Sequence, residues 1–202
     1  MRTCLSFVLI FTGVFFSTPD ISMMGLRIND PKTALKTIRL KVLSKEDETI
    51  RYRAENGNDF SITLDDGSIV FMENDRVPGA GGDEPLISNF RFGKTSLKDI
   101  RKAFGSNGYS YDERVNMTTD ADLVEFNCFE FDSPNNEVMV TITKASLDQD
   151  LSGDKIPESL KLDGIIIADA KFMEDIWGKR KHYSTGYKKI TADELQGTLP
   201  QQ

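Results

Sequence analysis

The sequence is poor in the side chains on which many catalytic and metal sites depend. Its 202 residues include two cysteines, one histidine and one tryptophan. So few cysteines exclude a disulfide-rich scaffold, and we expect no zinc site from Cys128 and His182. Positive charge is also scarce, because 32 acidic residues outnumber 25 basic ones and give a formal net charge of −7. Such a chain repels phosphate backbones, so we expect no nucleic-acid partner.

A mostly apolar run occurs near the N terminus. Residues 1–17 carry one charge, Arg2, followed by the apolar residues from Leu5 to Phe16. This run is too short for an ordinary membrane span and is typical of a secretory signal peptide, although an uncleaved anchor is the alternative. We therefore expect an exported mature chain, periplasmic or secreted, without a transmembrane span. Cleavage after residue 17 removes Cys4 and leaves Cys128 without a disulfide partner.

Neither remaining reactive side chain has the sequence context of a nucleophile or base. Cys128 alternates with Val124 and Phe126 on one face of a predicted strand, which favours a buried small hydrophobe over a nucleophile or an intermolecular bridge. His182 lies in a polar tract, and no Gly-x-Ser-x-Gly turn accompanies it. The sequence therefore predicts no catalytic residue.

One segment of the chain is repeated. Lys32–Arg39 matches Lys94–Arg101 at an offset of 62, with six of the eight positions identical. Both copies have the apolar spacing of a helix that buries one face. Asp30 and Pro31 are suited to the N-cap and first position of the first helix, and Thr95 to the N-cap of the second.

Strands are predicted after each helix, where apolar and polar residues alternate. They lie at 49–54, 60–64 and 69–72 in the first half, and at 109–114, 123–131 and 138–143 in the second. A last strand is expected in each half, at 86–92 and at 166–172.

The predicted fold class is therefore α+β, with two tandem repeats at 23–92 and 93–177, each a helix packed on an antiparallel sheet of about four strands. Residues 178–202 are predicted to form a basic, then polar, C-terminal tail. The predicted inward-facing positions are Leu35, Ile38, Ile62, Leu97, Ile100, Phe104, Phe126 and Val140.

The second repeated segment resembles a family signature. Phe92–Gly105 carries the Gly-x-Thr, aliphatic and aliphatic-Gly pattern found at the first helix of the SmpA/OmlA outer-membrane-assembly family and of β-lactamase-inhibitor-protein-like domains. The latter are often tandem repeats of a helical segment and a four-stranded sheet. The resemblance implies a protein that works by surface binding and carries over no catalytic residue. This chain lacks the lipid-anchor cysteine and the intradomain cysteine pairs of those families.

An acidic loop has the ligand spacing of a calcium site. Asp148, Asp150, Ser152 and Asp154 stand at positions 1, 3, 5 and 7 around the turn-forming Gly153. Alternate oxygen ligands in a tight turn are what Ca²⁺ requires. The Glu expected at position 12 is replaced by serine, so we expect weak binding. The alternative is a solvated loop without metal.

A basic and aromatic tract lies near the C terminus of this acidic chain. We predict that its basic and tyrosine side chains bind an anionic surface or partner through charge attraction and stacking. A solvated tail is the alternative. The predicted partner-binding residues are Lys179, Arg180, Lys181, Tyr183 and Tyr187.

These patterns favour an exported, non-enzymatic binding or assembly module that acts through a protein or cell-envelope partner. One alternative is a secreted hydrolase that uses paired carboxylates. The candidate pairs are Asp65/Asp66, Asp112/Glu113 and Asp120/Asp122. The other alternative is a calcium-dependent recognition protein.

Overall fold

The computed structural model describes residues 21–85, 89–112, 116–132, 136–191 and 194. The strands are β1 Lys41–Glu46, β2 Thr49–Arg53, β3 Asp59–Asp65, β4 Ser68–Asp75, β5 Tyr109–Tyr111, β6 Asn116–Thr118, β7 Asp122–Glu130, β8 Glu137–Ser146, β9 Lys161–Asp169 and β10 Arg180–Tyr183. The α-helices are α1 Leu97–Phe104, α2 Ile156–Ser159 and α3 Ala170–Trp177, and short 3-10 helices occupy Lys32–Thr37 and Gly153–Lys155. The predicted signal peptide at 1–17 lies outside the described residues. Within the described ranges no helix is long and apolar enough to cross a membrane.

The strands form one antiparallel sheet, which corrects the predicted two-repeat fold. Its 10 strands run in the order β1-β2-β3-β4-β9-β8-β7-β5-β10, and β6 pairs with β7 beside β5. The two halves meet where β4 pairs with β9, with Phe71 opposite Ala168 and Asp75 opposite Gly164. In this pair, each half provides hydrogen-bonding partners for a strand that would otherwise be an unpaired edge of the other half. The prediction of two separate helix-on-sheet repeats is therefore wrong.

The first repeated segment does not form the predicted α-helix. Lys32–Thr37 is a 3-10 helix with no buried residue and no side-chain cap. The carboxylate of Asp30 accepts a hydrogen bond from the backbone N–H of Arg27 instead of capping the helix. The two copies differ at two positions, and these explain why only the second forms an α-helix. Ala34 and Thr37 stand where the second copy has the residues of its N-terminal cap.

The second repeated segment forms α1 as predicted, but with a different cap. Ser96, rather than Thr95, is the N-cap, and a capping box joins its side chain and backbone to those of Asp99. Gly105 ends the helix at φ 57°, a left-handed conformation that favours glycine. The buried face of α1 consists of Leu97, Ile100 and Phe104. Local capping thus makes this copy an α-helix.

Alternation along the strands separates two apolar faces. One face packs against α1 and the N-terminal segment, and its buried side chains include Phe60, Ile62, Met72, Met139, Ile165 and Ile167. The other face packs against α3, and its buried side chains include Phe126, Cys128, Val138, Val140, Ile166 and Ala168. Of the predicted inward positions, Leu35 and Ile38 are only partly buried, and the other six are buried.

The predicted last strands differ from the structure at their ends. Leu86–Ser88 lie outside the described residues, and 89–92 form no strand. In the second half the strand ends at Asp169, whose carboxylate accepts a hydrogen bond of 2.9 Å from the backbone N–H of Phe172. That N-cap begins α3 within the predicted strand 166–172.

Candidate functional site: an acidic open face of the sheet

Helix α3 covers only part of the second sheet face. Its last aromatic contacts are those of Phe172 with Phe71 and of Trp177 with Phe126, with ring centroids 6.0 and 5.4 Å apart. Beyond these contacts the face reaches solvent, as the exposed Arg51 shows. We call this part of the sheet, formed by β2, β3, β4 and the first residues of β9, the open face.

Carboxylates oppose one another across the strands of the open face. Asp59 on β3 is directly opposite Asp75 on β4, and Glu73 on β4 is opposite Ser61. Glu73 and Asp75 are two residues apart on one strand and therefore point to the same side of the sheet. On β9, Asp163 forms an ion pair of 2.5 Å with Lys144. The open face thus brings four carboxylates together on three neighbouring strands.

Burial and mutual repulsion raise the pKa of two of these carboxylates. The pKa of Glu73 is raised from 4.5 to about 7, first by burial and then by the charge of Asp75, against the opposing effect of Arg51. The pKa of Asp75 is raised from 3.8 to about 6, first by burial and then by Asp163. Lys144 opposes that shift. Both carboxyls therefore titrate near neutral pH.

A groove of about 440 Å³ runs beside these carboxylates. Its apolar lining includes Val124, Phe126 and Ile142, and Met117 at its side is 42% exposed. Its acidic lining is Glu73, Asp75, Asp122 and Asp163, with Lys144 and Arg76 also present. Apolar surface beside carboxylates suits a ligand that carries both a positive charge and an apolar side chain. The groove therefore has the acidic and apolar lining that such a ligand would match.

The sequence did not single out Glu73 and Asp75. Alternation along β4 places Glu73 and Asp75 on one face of the sheet and Met72 and Asn74 on the other. Their shared face therefore follows from the strand pattern. That Asp75 is opposite Asp59 depends on strand register, and the burial of both carboxylates depends on neighbouring strands. Neither property is visible in the local sequence.

The predicted carboxylate pairs are not assembled into one site. Asp65 and Asp66 stand at the β3–β4 turn and are exposed. Asp112 lies 3.4 Å from His182, and its predicted partner Glu113 lies outside the described residues. Of the third pair, Asp120 is exposed. Asp122 lines the groove beside the open face, and among the pair members that the structure describes it is the one that does so.

The predicted calcium ligands contact their own loop. Asp148 accepts a hydrogen bond from the Ser146 hydroxyl. Asp150 accepts one of 2.7 Å from Ser152 and forms an ion pair with Lys155. The side chain of Asp154 is not among those that the structure describes. In the described part of the chain no group of three or more His, Cys, Asp or Glu residues is arranged to hold a metal ion. Calcium binding stays a prediction.

The predicted partner-binding tract is built into the sheet edge. Arg180–Tyr183 form β10, which pairs with β5. The Arg180 guanidinium forms ion pairs with Glu130 and Glu174, and the Tyr187 hydroxyl donates to Glu130.

The other side chains of that tract are more open. Tyr183 is 52% exposed, and its ring centroid is 4.6 Å from that of Tyr187. Lys179 is exposed, and the side chain of Lys181 lies outside the description. Two of the five predicted contact residues, Arg180 and Tyr187, are therefore engaged within the protein, and partner binding by this tract stays a prediction.

The cysteine and the histidine occupy contrasting environments. Cys128 is buried beside Val124 and Phe126, as predicted, and burial raises the pKa of its thiol. A buried neutral thiol is a poor nucleophile. His182 is exposed on β10, near the opposite edge of the sheet from β2 and β3.

Comparisons with known proteins give only distant likenesses. No family model and no curated protein matches the chain. Among solved structures, a cysteine-rich secretory protein of Staphylococcus aureus is similar with a TM-score of 0.41 and 12% identity, over 85% of this chain and 52% of that one. An extracellular protein containing a SCP domain from Bacillus anthracis is similar with a TM-score of 0.33 and 12% identity, over 84% and 52%. The chain spans about half the length of both structures.

Proposed function

We propose that the chain is an exported, non-enzymatic binding module whose open face docks a basic segment of a protein or cell-envelope partner. The observation that carries the proposal is the alignment of like charges, with Asp59 opposite Asp75 and Glu73 two residues away on the same side, although Asp59 is itself paired with Arg53 at 3.0 Å. Directly opposed like charges destabilise an antiparallel pair. A cationic partner removes that cost on binding.

The groove adds the apolar contact that such a partner needs. Charge attraction between exposed groups contributes modestly to affinity, whereas buried apolar side chains supply much of it. Val124, Phe126 and Ile142 lie beside the carboxylates in one groove. A segment with lysine or arginine beside an apolar residue therefore matches both parts of the surface.

Three features support binding rather than catalysis, and a fourth supports export. The single histidine is exposed on β10, and Cys128 is buried with a raised thiol pKa. The predicted family resemblance implies surface binding. The charged start and apolar run of residues 1–17 support export through a signal peptide.

The test is capture of partners by the immobilised mature chain from culture fluid and envelope extract, with matched variants. We expect Glu73→Gln/Asp75→Asn to lose a partner that the wild type retains. The control Glu46→Gln/Asp65→Asn removes the same number of charges from exposed positions away from the groove and is expected to retain it. A short lysine-rich peptide with one phenylalanine provides a defined probe, and it is expected to bind more tightly at pH 8 than at pH 5.5.

Two results would contradict the proposal. One is equal retention of partners and peptide by the wild type and Glu73→Gln/Asp75→Asn. The other is turnover of a glycan or ester substrate that is lost in Glu73→Gln or Asp75→Asn, because general acid–base chemistry would then explain the raised pKa values.

A further inference from the structure

The chain itself carries a surface whose chemistry is complementary to that of the open face. At and beside the edge strand β10, Lys179 and Lys189 are exposed, and no ion pair joins either of them to another residue that the structure describes. Between them in the chain, Tyr183 is 52% exposed. Its ring centroid lies 5.7 Å from that of Tyr109 and 4.6 Å from that of Tyr187. We call Lys179, Tyr183 and Lys189 the basic edge.

The other described lysine and arginine of this region already have partners. The Arg180 guanidinium and the Lys188 ammonium form ion pairs with glutamates of the same chain. Lys179 and Lys189 are therefore the cations that can meet an outside carboxylate. An exposed ring that its neighbours hold in place loses little freedom on binding, so Tyr183 is suited to anchor an interface.

The spacing of charge and ring on the basic edge matches that of charge and apolar lining on the open face. Lys179 and Tyr183 are four residues apart in an extended segment, which separates them by about 13 Å at roughly 3.3 Å per residue. On the open face, Ile142 of β8 lies two strands from Asp75 of β4, and Met117 of β6 lies four strands from it. At about 4.8 Å per strand these separations are about 10 and 19 Å. With Lys179 at the carboxylates, Tyr183 therefore reaches the apolar lining of the groove.

The basic edge cannot reach the carboxylates of its own molecule. In the sheet order, β4 and β10 are separated by β9, β8, β7 and β5. Five spacings of about 4.8 Å place β4 and β10 roughly 24 Å apart on one continuous sheet. A contact between the basic edge and the carboxylates of β4 therefore joins two molecules.

The net charge of −7 does not prevent such a contact. At physiological ionic strength, exposed charges more than about 8 Å apart are largely screened from each other. The charges that face each other across an interface therefore decide the sign of the interaction. Here these are lysines on one surface and carboxylates on the other.

We propose that the partner on the open face is a second copy of this chain, which docks through its basic edge. This inference rests on the proposed function, because it names the occupant of the same surface. The lysines of the basic edge pair with the groove carboxylates, and Tyr183 contacts the apolar lining. Because the two contacting surfaces differ, each molecule keeps one surface of each kind, and association continues head to tail.

The test is sedimentation velocity of the mature chain at pH 8 with rising protein concentration. We expect the average mass of the wild type to rise with concentration. Glu73→Gln/Asp75→Asn and Lys179→Glu/Lys189→Glu should each weaken this association by about tenfold or more. An equimolar mixture of the two variants should form a dimer that neither forms alone, because one supplies an intact basic edge and the other an intact open face.

Matched controls separate the contact from a general effect of charge. Glu46→Gln/Asp65→Asn removes two acidic charges elsewhere, and Lys32→Glu/Lys36→Glu reverses two exposed lysines of the first 3-10 helix. Both controls are expected to associate as the wild type does. Circular dichroism checks the fold of every variant.

The lysine-rich, phenylalanine-containing peptide distinguishes failure of this inference from failure of the proposed function. Lys179→Glu/Lys189→Glu keeps its open face and is expected to bind the peptide as the wild type does. A wild type that stays monomeric while the peptide binds the open face would overturn the second copy as occupant and leave the proposed function standing. A monomeric wild type that does not bind the peptide would overturn both. Association that both surface variants retain, or no dimer in the mixture of folded variants, would also overturn this contact.

Discussion

Asp59 and Asp75 face each other across β3 and β4 on the open face of the sheet, in direct register. On the other side of β4, Asp75 is opposite Gly164 of β9. A Cβ atom at Gly164 would lie 2.5 Å from Asp75 Oδ1. The sheet thus makes room for a carboxylate at a position where another carboxylate already opposes it. Asp59 is also paired with Arg53 at 3.0 Å, so we expect the remaining cost in stability to fall on Asp75 and on its neighbour Glu73.

The pH dependence of stability should reveal this cost. The pKa of Glu73 is raised from 4.5 to about 7 and that of Asp75 from 3.8 to about 6, so the folded state holds more protons than the unfolded state between these values. Stability therefore falls as pH rises from about 4 to about 7. Urea unfolding across this range should show Glu73→Gln/Asp75→Asn with a shallower fall, and with stability at pH 8 higher by on the order of 1 kcal/mol.

Some of the pH dependence should remain in that variant. Burial also raises the pKa of Glu137 to about 7, so this residue contributes a fall of the same sign. The control Asp65→Asn, at an exposed position, should leave the profile unchanged. A double variant with the wild-type slope would contradict the assignment to Glu73 and Asp75.

The space at Gly164 can be tested by a double-mutant cycle. Gly164→Ala should destabilise the protein by about 1 to 3 kcal/mol, because its Cβ would displace the Asp75 carboxylate and would lie 3.0 Å from Ile142 Cδ1. Asp75→Ala should recover part of that loss, because the displaced atom is then absent. Additive effects in thermal or urea unfolding would mean that Gly164 does not serve to accommodate Asp75.

The C-terminal edge of the sheet should depend on one buried carboxylate. Glu130 is 8% exposed and is held by Arg180 and by the Tyr187 hydroxyl. Arg180→Ala leaves that charge without its cationic partner and should cost about 3 kcal/mol. Lys179→Ala, at an exposed neighbouring residue, should change stability by less than about 0.5 kcal/mol. Equal effects of the two substitutions in urea unfolding would contradict the role of Glu130.

Calcium should stabilise the loop that contains Asp148 and Asp150, if that predicted site forms. Millimolar calcium is expected to raise the midpoint of thermal unfolding, since the expected dissociation constant lies in the range of roughly 10⁻⁴ to 10⁻³ M. Asp150→Ala should abolish that shift. In the structure Asp150 is paired with Lys155, so the ion must displace this contact. No shift, or the same shift in Asp150→Ala, would leave a solvated loop.

Local sequence signals predicted the local elements. The turn between β3 and β4 falls between the predicted strands 60–64 and 69–72, and the second repeated segment forms α1, which ends at Gly105. The two repeated segments differ at the positions of the capping box, which in α1 is formed by Ser96 and Asp99. Similarity at the remaining six positions gave the wrong prediction of an α-helix at 32–39, because capping residues decide whether so short a helix forms.

Long-range pairing was the part that the sequence did not predict. The β4–β9 pair joins strands from the two halves and fuses what appeared to be two sheets into one. The acidic site is a consequence of that pairing, because Asp163 and Gly164 of β9 lie beside Asp75 only in the fused sheet. The alternation of Glu73 and Asp75 was visible in the sequence, whereas their neighbours depend on register.

The most direct measurement of the central claim is ¹H–¹⁵N NMR mapping of the lysine-rich, phenylalanine-containing peptide on the mature chain at pH 8. The largest backbone shifts are predicted in β4 and at the start of β9, around Glu73, Asp75 and Asp163. They should disappear in Glu73→Gln/Asp75→Asn and persist in Glu46→Gln/Asp65→Asn. Shifts centred on β10, or the same shifts in the open-face variant, would contradict a binding role for the open face.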